Sequence, residues 1–364
     1  MTIEEFHLNL IERLPIKRCD DDFLITLKSA MGMFKSDVSE LDDKEITNNA
    51  QYIKEIADAV YETIYDAYMG ETMKADLVFL QKILGKGISC IKDNFIKFSQ
   101  IGPNPDKSSK DDKFYRIRVA SYGNRRLGIG DMFHVPLKMR NNIPTHRYSI
   151  PGLPCLYLGR SFYGCWEEME RPNFNDCMVS KIELQSPISV VDLRMPTLND
   201  LIGEDKLKSF LMLPMIIACM VQTKNRNDIY KPEYIMPQLI MSFVKSSQFN
   251  IGMKNNIVDG VYYTSAHKND EFDYPDYVFD CLAIPVKDIE STEDFCPELC
   301  KEFKITKPAN WELDSLKSAF PFDVGYSDEN VVTRYRQSAF GYLERRLKDK
   351  YKLYELQPKY LAKL

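Results

Sequence analysis

The sequence predicts an α+β protein, and three observations carry that expectation. Over the first hundred residues, apolar side chains recur at helical spacing. After residue 113 the chain runs in short stretches that alternate apolar and polar residues and are broken by Pro and Gly. These strand-like stretches do not alternate strictly with helices, so mixed or antiparallel pairing is expected rather than a doubly wound parallel sheet.

In the N-terminal part, Ile3, Phe6, Leu10 and Leu14 share one face and stop at Pro15, while Ile53, Ile56, Val60, Ile64 and Tyr68 repeat the pattern before Gly70. A third face is read in Met73, Leu77, Leu80 and Leu84, closed by Gly85 and Gly87. Residues 1–100 are therefore expected to form an all-helical module of three or more helices, with its apolar stripes as core. Residues 101–113, IGPNPDKSSKDDK, are rich in Pro, Ser, Lys and Asp and read as a linker.

FYRIRVA at 114–120 then alternates as a strand, with Tyr115, Ile117 and Val119 on one side and Arg116 and Arg118 on the other. Further strands are expected at LPCLYLG (153–159), CMVSKIEL (177–184), SVVDLR (189–194), after the turn at Asp259-Gly260, and at YVFDCLAIPV (277–286). SFYGCWEEME starts a helix capped by Ser161. The region from about 196 to 248 is more helical, with Pro237 suited to a first helical turn. This second domain spans 114–310, and 311–364 forms a charged, helical C-terminal extension.

The whole-chain numbers narrow the function classes. With 364 residues and 44% apolar content, sizeable cores are available. A net charge of −5 argues against a protein that grips nucleic acid directly, because phosphate backbones demand clustered Lys and Arg. Nine cysteines without CxxC pairs point to reduced thiols and a cytoplasmic setting. The start, MTIEEFHLNL, lacks the apolar core of a secretory signal. The most apolar run, FLMLPMIIACMV at 210–221, is shorter than a bilayer span and reads as a buried helix, so no membrane is expected.

Several motifs are excluded. CPELC (Cys296, Cys300) has no second Cys or His pair to complete a tetrahedral metal site, and none of His7, His134, His146 and His267 stands in HExxH. There is no GxSxG elbow, and neither LGIGDMF nor LGKGISC forms a phosphate loop. No metal is therefore expected. What remains is the stretch from Arg147 to Glu168, RYSIPGLPCLYLGRSFYGCWEE, where Arg147, Tyr157 and Glu168 stand ten and eleven residues apart. Arginine offers a fork of donors to phosphate, tyrosine a flat face to a heteroaromatic ring, and glutamate an acceptor for ribose hydroxyls or a developing positive charge. On residue types alone this also suits a surface ion pair over a packed aromatic.

Joined to Arg116 upstream in FYRIR and Ser265 downstream in GVYYTS, the constellation resembles the RES family, named for its arginine, glutamate and serine. The matching pieces FYRIR, RYS, PCLY, CWEE and GVYYTS follow the family's order over roughly residues 114–286. Two departures stand out. His146 occupies the place of a glycine before Arg147, and Glu167 adjoins Glu168, with the spacing favouring Glu168.

The resemblance implies an ADP-ribosyltransferase-like core of two small mixed or antiparallel sheets with helices, and an enzyme that consumes NAD as substrate by cleaving its nicotinamide–ribose bond. Glu168 would hold the nicotinamide ribose. Arg147 and Arg116 would clamp the pyrophosphate or ribose, Tyr157 would stack on nicotinamide, and Ser265 would hydrogen-bond near the ribose or amide. The attacking group is left open: water makes a glycohydrolase, phosphate a phosphorylase, and a macromolecule an ADP-ribosyltransferase. Family members imply a toxin of a toxin–antitoxin or phage-defence system with a DNA-binding antitoxin as partner. A non-catalytic binding module with a degenerate NAD cleft is the alternative of a different class. The N-terminal helices suit a partner surface, a cover for the cleft, or a homo-oligomer interface.

Overall fold

A computed structural model of the chain describes residues 1–18, 22–84, 95–103, 112–120, 127–247, 258–268, 274–287, 294–310, 335–336 and 338–357. Most of the expected 101–113 linker and the first part of the expected 311–364 extension lie outside the described residues. The protein is mixed α and β with a helical N-terminal region and both parallel and antiparallel strand pairs, so the α+β class holds. The chain divides into two compact units, 1–99 with 145–150 and 190–266, and 100–144 with 151–189 and 267–364.

In the first unit the helices are α1 (Ile3–Arg13), α2 (Phe23–Glu40), α3 (Lys44–Tyr68) and α4 (Thr72–Val78). Each of the first three is started by a side chain that accepts orphan backbone N–H groups: Thr2 in a reciprocal box with Glu5, Asp22 for Leu24, and Asp43 for Glu45 and Ile46. The expected stripes are buried at Ile3, Phe6, Leu10 and Leu14, and at Ile53, Ile56, Val60 and Ile64.

The third stripe is a correction. Met73, Leu77 and Leu80 are exposed, and the buried face is Ala75, Val78, Phe79 and Ile83. Both sets fit a helical period, and a π turn at Phe79–Ile83 continues α4, so spacing alone does not choose between them.

These helices share their core with a later part of the chain. Helices α5 (Phe162–Glu168) and α6 (Leu198–Ile202) precede α7 (Lys206–Cys219), whose residues are all buried from Ser209 to Cys219. A helix apolar on every side must be covered on every side. Phe6 meets Phe210 with ring centroids 5.1 Å apart, and Lys206 pairs with Asp43 at 2.7 Å, which holds that carboxyl below its usual range. Helix α8 (Ile235–Ser247) follows, with Pro237 in its first turn as expected. Strand β1 (Phe98–Ile101) comes at the end of the N-terminal stretch, and β5 (Ile188–Leu193) and β6 (Gly260–Thr264) run parallel, with Val190 opposite Gly260 through Leu193 opposite Tyr263.

The second unit is built on antiparallel strands β2 (Lys113–Val119), β3 (Cys155–Gly159), β4 (Cys177–Leu184), β7 (Asp280–Pro285), β8 (Phe303–Thr306) and β10 (Leu353–Glu355), in the order β7-β3-β2-β4-β8-β10. The short β9 (Ala309–Asn310) also pairs with β4. The first three residues of the expected strand 277–286 instead belong to a 3₁₀ turn, Asp276–Phe279. Helix α9 (Pro297–Glu302) stands in this unit, and α10 (Ala339–Lys350) packs on α5 and β4. Tyr115, Ile117, Phe162, Cys165, Val179, Leu343 and Leu347 close one core beneath these two helices.

Candidate functional site

The β2–β3 pairing is where this unit's sheet loosens. Strand β2 pairs with β4 over seven residues and β3 with β7 over five, yet β2 meets β3 only at Tyr115 opposite Gly159. Past that pair the carbonyl of Tyr157 is reached by a side chain: Arg116 Nη1 donates to it at 3.1 Å.

Among the described residues no carboxylate forms an ion pair with Arg116, whose neighbour Arg118 is also cationic. Burial first, and Arg118 second, press the Arg116 guanidinium down to about 9. Burial lowers Arg118 as well, and its Nε has no hydrogen-bond partner among the described residues. Ser180, the register partner of Arg116 on β4, is fully buried, with Oγ likewise unpartnered among the described residues. Asp131 offsets part of the Arg118 charge, and the remaining positive charge with its spare donors is of the kind a bound anion relieves.

Helix α5 is fixed from its first residue. Ser161 accepts from Gly164 N at 2.8 Å and donates to Val278 O at 2.7 Å. The approach is so close that a Cβ on Gly164 would stand 2.2 Å from Val278 O, and one on Gly159 would stand 2.6 Å from Cys165 Sγ. At the other end the backbone turns left-handed at two non-glycine residues, Glu170 (φ 59°) and Arg171 (φ 53°). That conformation disfavours L side chains, so the surrounding packing holds it.

The two glutamates of α5 part company here. Glu167 is buried, and Arg171 Nε donates to its two oxygens at 3.1 and 2.9 Å. Glu168 is half-buried, and its Oε1 lies 4.0 Å from Cys281 Sγ. Cys281 is opposite Gly159 and Ala283 opposite Tyr157, so side-chain alternation puts Tyr157 and Glu168 on one face of the β3–β7 pair. Arg116, Tyr157 and Glu168 all belong to the second unit, where Arg116 reaches the backbone carbonyl of Tyr157, but with Tyr115 opposite Gly159 the same alternation puts the Arg116 side chain on the other face of the sheet from Tyr157.

Arg147 and Ser265 belong to the first unit. Arg147 Nη1 donates to Cys219 O at 2.9 Å and Val221 O at 3.0 Å, at the C-terminal end of α7, and the guanidinium lies 5.1 Å from the Tyr234 ring centre. A cation there suits a helix's negative end. Ser265 is fully buried just past β6. The two are linked by one segment, since Gln222, next to Val221, donates to Ala266 O at 2.8 Å, and the tilted rings of Tyr148 and Tyr263 meet with centroids 4.2 Å apart.

His146 departs from a glycine without strain: its backbone N–H donates to Ser149 Oγ, and Glu170 and Arg171 are the non-glycine positive-φ residues among those described. Sequence reading missed Arg118, Ser180 and Cys281. The alternation RIR signals the first, but only strand register reveals the other two.

Cys296 is buried, and its backbone N–H donates to His134 Nε2 at 3.0 Å. Among the described residues no three His, Cys, Asp or Glu gather as metal ligands, and no helix is long and apolar enough to cross a membrane.

The fold and these side chains define an α+β protein whose second-unit sheet carries an arginine on one face and has a carboxylate against the other. No family model matches the chain, and no solved structure does. The chain is similar to a Bacillus subtilis (strain 168) protein described as "Putative toxin YopC", 34% identical over 217 residues. The match covers 55% of this chain and 46% of that protein, so the chain spans less than half the length of the relative it matches.

Proposed function

We propose that the chain is a toxin that consumes NAD by cleaving the nicotinamide–ribose bond, as a glycohydrolase or phosphorylase of the RES type. The observation that carries this reading is Arg116, a guanidinium pressed down by burial, without a carboxylate partner among the described residues, whose Nη1 reaches the Tyr157 carbonyl, while Tyr157 and Glu168 share one face of the adjoining β3–β7 pair. The similarity to a protein whose name includes "toxin" supports the coarser part of the proposal.

In this reading Arg116 takes the pyrophosphate, where a fork of donors outperforms a lysine. Tyr157 lies flat against nicotinamide. Glu168 stabilises the positive charge that grows on the ribose as the bond to the pyridinium breaks, the same demand that glycosidases meet with carboxylates. The electrons of that bond leave with nicotinamide, which departs neutral. Water or phosphate then adds to the ribose. The roles expected of Arg147 on phosphate or ribose and of Ser265 on ribose or amide stay part of the proposal.

Incubating pure protein with NAD, with and without inorganic phosphate, tests the reading by its products. Nicotinamide with ADP-ribose identifies water as acceptor, and nicotinamide with a phosphorylated ADP-ribose identifies phosphate. Intact NAD in both arms overturns the proposal. Label from NAD retained on protein or nucleic acid shifts it to a transferase.

A further inference from the structure

A carboxylate outside the proposed chemistry sits at the start of α5. Glu344, on α10, accepts at one oxygen, Oε1, both the backbone N–H of Phe162 at 2.7 Å and the hydroxyl of Tyr335 at 2.6 Å. Phe162 is the first residue of α5, and Glu168 is its last. The same two helices are joined by rings: Phe340 of α10 lies 5.3 Å from Phe162, 5.0 Å from Tyr163 and 5.7 Å from Trp166 by ring centres. Leu343 and Leu347, both fully buried, complete the contact.

We propose that Glu344 is a positioning residue, a protonation-sensitive tie from α10 to the first residue of α5 that sets where the helix, and with it Glu168, rests on the strands. An ionised carboxylate accepts these two hydrogen bonds more strongly than its acid form, so the tie tightens when Glu344 loses its proton. Burial raises this carboxyl to about 7, against the opposing pull of Tyr335, the Phe162 N–H, Arg160 and Arg345. The other titratable groups that feel its charge are Tyr115 on β2, Tyr277 in the 3₁₀ turn, Cys165 on α5 and Tyr335 itself. Each of these is neutral near pH 7, since burial raises every one of them. Glu344 is therefore the member of this cluster that changes charge between pH 6 and 8.

The tie itself is independent of the NAD reading, and its effect on turnover rests on that reading. The test separates the two. Trp166 is one of two tryptophans in the chain, so its fluorescence is followed from pH 5.5 to 8.5 in a Trp311→Phe background. A transition centred near pH 7 is expected, flat in Glu344→Gln, which keeps an acceptor but cannot ionise. Tyr335→Phe removes a donor that favours the ionised form, so the midpoint moves up, and this variant serves if Glu344→Gln fails to fold. A flat parent, or an unchanged transition in both variants, overturns the tie. NAD loss in the same samples is expected to rise through the same pH range by kcat with KM steady, and Glu344→Gln holds it at the low-pH level. A fluorescence transition without NAD loss at any pH keeps the tie and removes the NAD reading instead.

Discussion

A guanidinium held away from water without a counter-charge is costly, and Arg116 is kept so where β2 and β3 stop pairing. The Tyr157 carbonyl offsets part of that cost, and in the proposed reading an anion offsets the rest. A second buried group shows the opposite strategy. His134 is fully buried and neutral, its Nε2 accepting from Cys296 N–H and its Nδ1–H donating to Val135 O, and burial lowers it to about 4. The unfolded chain takes up a proton near 6.5 that the folded chain refuses until about 4. Stability from this group is thus complete above pH 6.5 and is lost as pH falls toward 4, on the order of 3 kcal/mol. Urea unfolding at pH 7 and pH 5 measures the loss, and His134→Gln is expected to shrink the difference between the two pH values.

At the scale of the element, α5 depends on closeness. Gly164→Ala puts a methyl into Val278 O, and the overpacking is expected to cost about 1–3 kcal/mol in chemical denaturation. NAD loss should fall with it, because the displaced helix carries Glu168. Much of this element was legible: Ser161 as cap and a helix through CWEE follow from residue types, and the observed Phe162–Glu168 bears both out. The spacing also favoured Glu168 and left Glu167 to point elsewhere, and Glu167 is the one engaged by Arg171; its partner was not legible. Arg171 pairs with Glu167 at i,i+4 spacing although the backbone is left-handed at Glu170 and Arg171, and no residue type announces that turn. The reversed face of α4 has a similar cause, since two apolar stripes compete and packing chooses.

At the scale of the molecule, chain texture and packing follow different lines. The sequence changes character near residue 100, yet α7, a hundred residues further on, is covered by the N-terminal helices in one compact unit. An apolar helix is recognisable from composition, but its covering partners are long-range and leave no local trace. Residues 100–364 expressed without the preceding helices are therefore expected to bare α7 and to aggregate or bind a hydrophobic dye; a soluble, dye-silent fragment would contradict this.

The paired variants Glu168→Gln and Glu167→Gln test the central claim most directly, with nicotinamide release from NAD measured at equal, confirmed folding. Glu168→Gln is expected to lower release by at least about a hundredfold, the scale of a lost electrostatic contact to the transition state. Glu167→Gln should mainly lower stability, by about 1–3 kcal/mol, through the weakened pair with Arg171. Release that survives Glu168→Gln unchanged would contradict the account.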